Sequence, residues 1–319
     1  MLLLTKEDVD RALDGVDVMS EAVQVTEDAL RGVIAEKDAR MPVVYPAAPF
    51  HAQTIPLFGA LHSHGFLGGR ISTVGPAVTS GARGRGYKVL FDLETLQLAS
   101  LIEDVAVHRY LVGAHVGVAT KWLANSGEVG VGLIGSGNLA RACLEAVAKV
   151  RTVAWVKVFS PNRENRARFA AEASEAFGLR VDAVDTGRDA MDGADVVNCA
   201  TNNFFRGGDA VYAAEWATAG SHVNTIGRCE APIDDLNDAS LFTPSQPDFD
   251  AIVPQWAPMP PAGTEVGDLA SVIAGIHPGR RDRLHRTLYL GPSIPAEHIA
   301  IGAWILRRAR EAGVGTEWS

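Results

Sequence analysis

The glycine turn at residues 135–140 constrains the fold of this chain more than any other feature of its sequence. The segment reads Gly135-Ser136-Gly137-Asn138-Leu139-Ala140, a G-x-G-x-x-A pattern between an apolar stretch at 129–134 and a helical pattern at 139–150. The first glycine permits a tight turn, the second lets a pyrophosphate approach the backbone, and the alanine lets the helix pack closely on the strand. We therefore expect residues 135–139 to bind a dinucleotide at a helix N-terminus. The alternative is a glycine turn without a ligand.

The chain after this turn continues to alternate between short apolar stretches and amphipathic ones. A helix is predicted at 163–177, and strands are predicted at 129–134, 153–159, 180–184, 195–200, 222–226 and 239–242. Strands that alternate with helices of this length are joined by right-handed crossovers in a parallel sheet. The fold class predicted for residues 126–295 is therefore α/β, a Rossmann-type doubly wound parallel sheet.

The first part of the chain has a mixed pattern. Thr5 and Asp8 resemble a capping box, a helix is predicted from Val18 to about Lys37, and a stretch rich in proline and glycine runs from Pro42 to Gly86. A β-hairpin is predicted from 88–93 and 96–102, and Asp104 could cap a long helix that ends near 125.

We expect residues 1–125, with a C-terminal helix at about 296–319, to form an N-terminal α+β domain for substrate binding and dimerisation. The hairpin would expose an edge unless a second copy completed its sheet. This is one reason to predict a homodimer.

The composition excludes several classes of protein. The chain has 319 residues, with 38 acidic and 29 basic side chains, and 47% of its residues are hydrophobic. No basic block offers a surface for nucleic acid, no apolar run is long enough to span a membrane, and the start is too short for a secretion signal. The cysteines have neither disulfide nor zinc spacing, so no metal site is predicted. We expect a cytoplasmic protein.

The end of the second predicted strand bears on the choice of nicotinamide cofactor. Enzymes that use NAD carry an acidic residue there for the ribose 2′-hydroxyl. This chain instead reads Phe159-Ser160-Pro161-Asn162-Arg163, without a carboxylate. Ser160 and Arg163 suit a 2′-phosphate, so NADP(H) is favoured and NAD(H) is the alternative. Arg163 could equally lie in the solvated first turn of the next helix.

Three further segments complete a resemblance to a known family. They are Cys199-Ala200-Thr201-Asn202, His222-Val223-Asn224-Thr225-Ile226-Gly227 and Pro278-Gly279-Arg280. With the glycine turn, they make nearly the whole chain resemble the ornithine cyclodeaminase/μ-crystallin family. The resemblance implies a homodimer that uses NAD(P)(H) to oxidise amino acids or to reduce imines. It also implies that Thr201 and Asn202 lie at the cofactor.

The resemblance can be followed to single residues of a substrate site. Arg40 and Arg109 match two arginines that hold the substrate carboxylate in the family. We place the family's active-site lysine at Arg70, and Cys229 stands where cyclodeaminases have an aspartate. That aspartate suits the proton transfers of ring closure, whereas a thiol is uncharged at neutral pH unless it is perturbed. The catalytic candidates Arg40, Arg70, Arg109 and Cys229 therefore resemble the imine reductase and amino-acid dehydrogenase branch.

Three hypotheses for function follow. The first is NAD(P)H-dependent reduction of a 2-imino acid, or the reverse dehydrogenation, and three arginines would suit a dicarboxylic substrate. The second is a nucleotide-binding member of the family without catalysis, because fold alone does not determine function. The third is ornithine cyclodeaminase activity. The proton donor stays open between His62 or His64, Glu230 and water.

Overall fold

The computed structural model describes residues 1–36, 53–74, 86–105, 107–201, 210–226, 230–245 and 260–318. The chain divides into two compact units, of which the first comprises Met1–Leu111 with Ser293–Ser319 and the second Val112–Pro292. The first boundary therefore lies inside the long helix and not after residue 125, where we expected it. The assignment of substrate binding and dimerisation to the first unit stays a prediction.

The described residues of the first unit contain a six-stranded sheet. Its strands are β1 (Leu2–Leu4), β2 (Gln53–Leu61), β3 (Phe66–Val74), β4 (Gly86–Asp92), β5 (Leu98–Glu103) and β14 (Thr316–Glu317), in the order β14-β1-β5-β4-β3-β2. The antiparallel pair of β4 and β5 confirms the hairpin. Both strands are interior, with β1 and β3 of the same chain beside them. The idea that the hairpin needs a second copy to complete its sheet is therefore wrong.

The strands β2 and β3 lie in the stretch rich in proline and glycine, for which no strand was predicted. They pair along their whole length, from Gln53 opposite Val74 to Leu61 opposite Phe66. Gly68 and Gly69 have φ angles of 139° and 145°, and a Cβ on either would come 1.9 Å from a carbonyl oxygen of a neighbouring strand. The glycines are thus needed for the close approach of three strands beside Arg70, and they do not break β3.

Three helices cover this sheet. They are α1 (Lys6–Ala12), α2 (Val18–Glu36) and α8 (Pro295–Ala312). Thr5 and Asp8 form the predicted capping box of α1. Helix α8 packs against α2 and against β2, β3 and β4. It is anchored where the Trp304 indole donates to Glu21 at 2.8 Å, so the C-terminal helix belongs to the first unit.

The second unit contains an eight-stranded sheet, again counted over the described residues. Its elements are β6 (Glu128–Ile134), α4 (Asn138–Val150), β7 (Thr152–Phe159), α5 (Arg163–Phe177), β8 (Val181–Ala183), α6 (Gly187–Met191), β9 (Val196–Cys199), β10 (His222–Thr225), β11 (Ser240–Thr243), β12 (Val266–Asp268), α7 (Leu269–Ile273) and β13 (Thr287–Leu290). All the strand pairs of this sheet are parallel among the described residues, which confirms the predicted fold class.

The strand order places the glycine turn where such sheets bind ligands. The order is β12-β11-β13-β10-β9-β6-β7-β8, so the chain runs outward from β6 to β8 in one direction and then crosses to β9 and β10 on the other side of β6. Beyond β10, the last strand β13 lies between β10 and β11. Ligands of doubly wound sheets bind at the carboxyl ends of the strands beside this reversal. Strand β6 ends at Ile134, directly before Gly135. The helix α3 (His108–Leu123) leads from the first unit into the second.

Candidate active site

The first glycine of the turn is required by its packing. Gly135 has a φ of 117°, and its N–H donates to the carbonyl of Phe159 at 2.8 Å. A Cβ at this position would come 2.2 Å from the carbonyl oxygen of Ala200. The turn is thus held between the ends of β7 and β9, and only glycine fits there.

The second glycine is open to a ligand. Gly137 is the N-cap of α4 and offers no side-chain hydrogen bond to the first turn. A Cβ here would meet no atom within 4 Å among the described residues, and Gly137 and Asn138 are both exposed. The unpaired N–H groups at the start of α4 are therefore accessible to an anion, which fits the pyrophosphate of a dinucleotide. Leu139 packs against the apolar core, so only its backbone faces this opening.

The end of β7 is joined to the turn by a pair of hydroxyls. Ser160 is buried, and its Oγ lies 2.8 Å from Ser136 Oγ. Buried Arg166 donates to the Ser160 carbonyl at 3.0 Å and fixes its direction. Arg163 is exposed at the first position of α5, and within the described ranges it makes no ion pair. A hydroxyl and an unpaired guanidinium thus flank the place where NAD enzymes have a carboxylate.

The candidate Thr201 is held by a buried glutamate. Its N–H and its Oγ1 each donate to Glu230 Oε1 at 2.6 Å, and the N–H of Ile226 donates to Glu230 Oε2 at 3.2 Å. Glu230 therefore ties the end of β9 to the end of β10. We had kept it open as a proton donor, but its carboxylate accepts three hydrogen bonds and serves to hold the backbone. Asn202 lies outside the described residues.

The segments at β10 and after α7 that carried part of the resemblance form a buried polar core. His222 lies 2.8 Å from Thr287 Oγ1 and 2.9 Å from Asn224 Oδ1. Burial, and next the charge of Arg280, lower the pKa of His222 to about 3. Arg280 donates to the Leu123 carbonyl at 2.7 Å, which secures the end of α3. These residues support the second unit, and His222 is neutral at physiological pH.

The first unit contains a buried ionic cluster of three side chains. Asp104 accepts from Arg70 Nε at 2.5 Å, and Lys88 Nζ lies 2.9 Å from its other oxygen. The side chains of Lys88 and Asp104 are 0% and 1% exposed, and that of Arg70 is 18% exposed. We expected Asp104 to cap α3. Among the described residues its side chain instead accepts from Arg70, and its backbone carbonyl accepts from the N–H of His108.

A histidine extends this cluster. Lys88 Nζ lies 3.0 Å from His298 Nδ1, and His298 Nε2 lies 3.0 Å from Ser293 Oγ. His298 is fully buried in α8, and Ser293 is half-buried before it. Two signals could have revealed these residues. Lys88 occupies an inward position of β4, where burial alternates, and His298 lies on the apolar face of the last helix.

Lys88 also changes the interpretation of Arg70. The two residues lie directly opposite each other on β3 and β4. A buried lysine is therefore present next to the position at which we placed the family's lysine. Arg70 is paired with Asp104, so Lys88 is the better candidate for that role.

The charges in the cluster determine its protonation. Burial lowers the pKa of Lys88, and Asp104 opposes this shift. Burial alone would raise the pKa of Asp104, but the charges of Lys88 and Arg70 hold it well below its usual value. Asp104 is thus ionised and shared by two cations, and Lys88 loses its proton more readily than an exposed lysine would.

The remaining substrate candidates are only partly described. Arg109 is exposed, lies 4.5 Å from the ring centre of Tyr110 and donates to the hydroxyl of that residue. Arg40 and Cys229 lie outside the described residues, so a pair of converging arginines stays a prediction. His62 and His64 belong to a short 3-10 turn.

The described part of the chain contains no group of three or more His, Cys, Asp or Glu side chains placed to hold a metal ion. It also contains no helix long and apolar enough to cross a membrane.

The doubly wound sheet and its glycine turn define a dinucleotide-binding protein of the Rossmann type. The sequence model of the ornithine cyclodeaminase/mu-crystallin family matches residues 84–313. The chain therefore belongs to that family, as the resemblance predicted.

Two of the proteins that this chain resembles are named as reductases. The Delta(1)-pyrroline-2-carboxylate reductase of Bacillus cereus is 24% identical over 241 residues, which cover 72% of this chain and 73% of the relative. The iminosuccinate reductase of Paracoccus denitrificans is 25% identical over 237 residues, with 72% of each chain covered. Among solved structures, the Thermococcus litoralis Delta(1)-pyrroline-2-carboxylate reductase in complex with NADH and L-proline has a TM-score of 0.86 and 25% identity, with 100% of both chains covered.

These findings confirm the expectation of an enzyme, an NAD(P)-dependent oxidoreductase. The structure fits the cofactor at the glycine turn, where Gly135 is required and the start of α4 is open.

Proposed function

We propose that this protein catalyses the NAD(P)H-dependent reduction of a 2-imino acid to an amino acid, or the reverse dehydrogenation. The observation that carries the proposal is the fully buried Lys88 between Asp104 and His298. A lysine with a lowered pKa is suited to move protons near neutral pH. The names of the two relatives support the same chemistry, since pyrroline-2-carboxylate and iminosuccinate both contain a C=N bond next to a carboxylate.

The residues would divide the work as follows. Residues 135–138 would hold the pyrophosphate, and the bound cofactor supplies a hydride to the imine carbon. Arg109, together with Arg40, would bind the substrate carboxylate, as the family resemblance implies. Lys88 would provide the proton that the nitrogen gains. Arg70 would keep Asp104 ionised and so position Lys88.

The pairing of Arg70 with Asp104 affects the expected substrate. We considered a dicarboxylic imine because a third free arginine could bind a second acid group. That arginine is instead paired with Asp104 through its Nε. We therefore propose an imine with one carboxylate and retain iminosuccinate as the dicarboxylic comparison.

Turnover of defined substrates tests the proposal. The full chain is mixed with NADPH or NADH and with Δ1-pyrroline-2-carboxylate, iminosuccinate or 2-oxo acids plus ammonia or methylamine, and cofactor absorbance is followed. Oxidation of the cofactor with at least one imine is expected. Cofactor binding without turnover of any imine would instead favour a nucleotide-binding protein without catalysis. Formation of proline from ornithine would favour a cyclodeaminase.

NADP(H) is the proposed cofactor, because Ser160 and exposed Arg163 flank a site without a carboxylate. Replacing Arg163 with alanine should weaken NADPH binding by about 1–3 kcal/mol and leave NADH binding nearly unchanged. Arg168→Ala is the matched control, since Arg168 is an exposed arginine five residues further along the same helix. Fluorescence titration of both cofactors gives the affinities, and a tenfold preference of the parent for NADH would refute this choice.

A further inference from the structure

We infer that His298 and Ser293 form a proton relay through which the buried amine of Lys88 exchanges protons with solvent. The relay deepens the proposed function, on which its catalytic use rests. Its geometry is independent of that function: Nζ to Nδ1 is 3.0 Å, and Nε2 to Oγ is 3.0 Å.

Lys88 needs a relay because it has no contact with solvent. Its side chain is 0% exposed, so any proton that it exchanges with solvent passes through a hydrogen-bond partner. Its ammonium has two described partners, Asp104 and His298. Asp104 is a poor carrier, since Arg70 also binds it and both cations hold it in the ionised form. His298 is therefore the available route.

Other charged groups that face Lys88 do not offer a second route. The guanidinium of Arg70 has no acceptor atom, and its Nε is bound to Asp104. His108 Nδ1 lies 3.9 Å from Asp104 and so reaches the carboxylate side of the cluster. Glu297 has only a small electrostatic effect on Lys88, and its Oε2 accepts from the N–H of Ile294 at 2.8 Å. Within the described cluster, the hydrogen bonds through His298 to Ser293 therefore connect Lys88 to a group outside the ion pairs.

The hydrogen-bonding capacity of each group sets the resting state of the relay. A lysine ammonium can only donate, so His298 Nδ1 accepts and the ring proton is on Nε2. That proton is donated to Ser293 Oγ. The serine hydroxyl keeps its own proton and can donate it to water, because Ser293 is half-buried whereas Lys88 and His298 are fully buried.

One passage along the relay moves one proton and no electrons. The Nζ–H bond of Lys88 breaks as the Nδ1–H bond of His298 forms. The Nε2–H bond breaks as an O–H bond to Ser293 forms, and the original hydroxyl proton leaves to water. The imidazole ends as the other neutral tautomer, and its pKa far below the ordinary value agrees with a ring that never carries a charge. The reverse passage starts from the Nδ1–H tautomer: water gives a proton to Ser293 as the hydroxyl proton moves to Nε2, and the Nδ1 proton returns to Lys88.

The tautomer of His298 tests the relay without any turnover. The full chain is labelled with ¹⁵N-histidine, His298 is assigned with the His298→Asn variant, and ring nitrogens are followed by NMR between pH 5 and 10. We expect the Nε2–H tautomer at low pH and the Nδ1–H tautomer at high pH, with the midpoint at which Lys88 loses its proton. Lys88→Arg is the control, since an arginine at this position stays charged and the tautomer should not change.

Kinetics test whether the reaction uses the relay. His298→Asn keeps an acceptor near Lys88 but ends short of Ser293, so kcat should fall by about 100-fold with KM within about threefold. Ser293→Ala should also lower kcat, and Ser293→Thr should restore it because the hydroxyl returns. Circular dichroism and thermal melts are recorded for each variant, so that loss of folded protein is separated from loss of rate.

Each result has a defined meaning. A tautomer that stays the same while Lys88 titrates overturns the relay. A tautomer change with normal kcat in folded His298→Asn and Ser293→Ala overturns its role in the reaction. A tautomer change in a parent that reduces no imine supports the relay and refutes the proposed function instead.

Discussion

The two glycines of the turn should respond to the same substitution in opposite ways. In Gly135→Ala, the residue must keep a φ of 117° and place its Cβ 2.2 Å from the Ala200 carbonyl oxygen. The strained backbone costs about 1–3 kcal/mol of stability. The shift of neighbouring atoms that makes room for the Cβ costs about 1–3 kcal/mol more. We therefore expect the free energy of unfolding of the second unit to fall by about 2–6 kcal/mol.

Gly137→Ala should leave stability nearly intact and weaken the cofactor. The extended backbone at this N-cap accepts alanine, and the new Cβ meets no described atom within 4 Å. Loss of a glycine cap lowers stability by at most about 1 kcal/mol. The added methyl group lies where the pyrophosphate must approach, so the affinity for NADPH and for NADH should fall at least about tenfold.

Urea unfolding and fluorescence titration of both variants separate the two effects. If Gly135→Ala unfolds at the same urea concentration as the parent, the packing of the turn against β9 is not as described. If Gly137→Ala binds both cofactors like the parent, the pyrophosphate does not approach this glycine, and the assignment of the dinucleotide to the start of α4 is refuted.

Three further predictions concern stability and assembly. The pKa of His222 is lowered to about 3 from an ordinary 6.5, so as the pH falls the unfolded chain binds a proton at this residue before the folded chain does. The free energy of unfolding should therefore fall as the pH drops from about 6.5 towards 3, by up to about 1.4 kcal/mol per pH unit. Urea titrations should show a shallower decline in His222→Gln, and equal slopes in the two proteins would contradict this. Arg70→Ala should lower the unfolding free energy by about 3–5 kcal/mol, because it removes one cation from buried Asp104, while Arg70→Lys should lose less; a loss below about 1 kcal/mol would mean that the pair does not form. Light scattering at micromolar concentration should report a homodimer, as the family resemblance implies, and a mass of 33.9 kDa would show a monomer instead.

The second unit was largely predictable because its signals are local. A strand, a glycine turn and a helix follow one another within residues 128–150, and each has its own period of apolar residues. The helix at Arg163–Phe177 begins and ends as predicted, since Asn162 caps it and Gly178 takes a left-handed conformation at its end. Strand β13 was not predicted, although β9, β10 and β11 have the same length and were predicted.

The candidate site in the first unit depended on contacts between distant parts of the chain. Lys88, Asp104 and His298 come from a strand, a loop and the last helix, and no local period links them. The family resemblance placed the active-site lysine at Arg70, and the sequence could not reveal that β3 and β4 pair with Lys88 directly opposite that residue.

The sequence by itself therefore determined the dinucleotide turn and the alternation of strands and helices around it, because short-range sterics and apolar periodicity decide both. Only the tertiary structure decided which charges are buried together, since burial and ion pairing depend on the register of paired strands and on where α8 packs. For the same reason strands β2 and β3 were not predicted. Their glycines are required because the neighbouring strands leave no room for a side chain, and only the tertiary structure shows those strands.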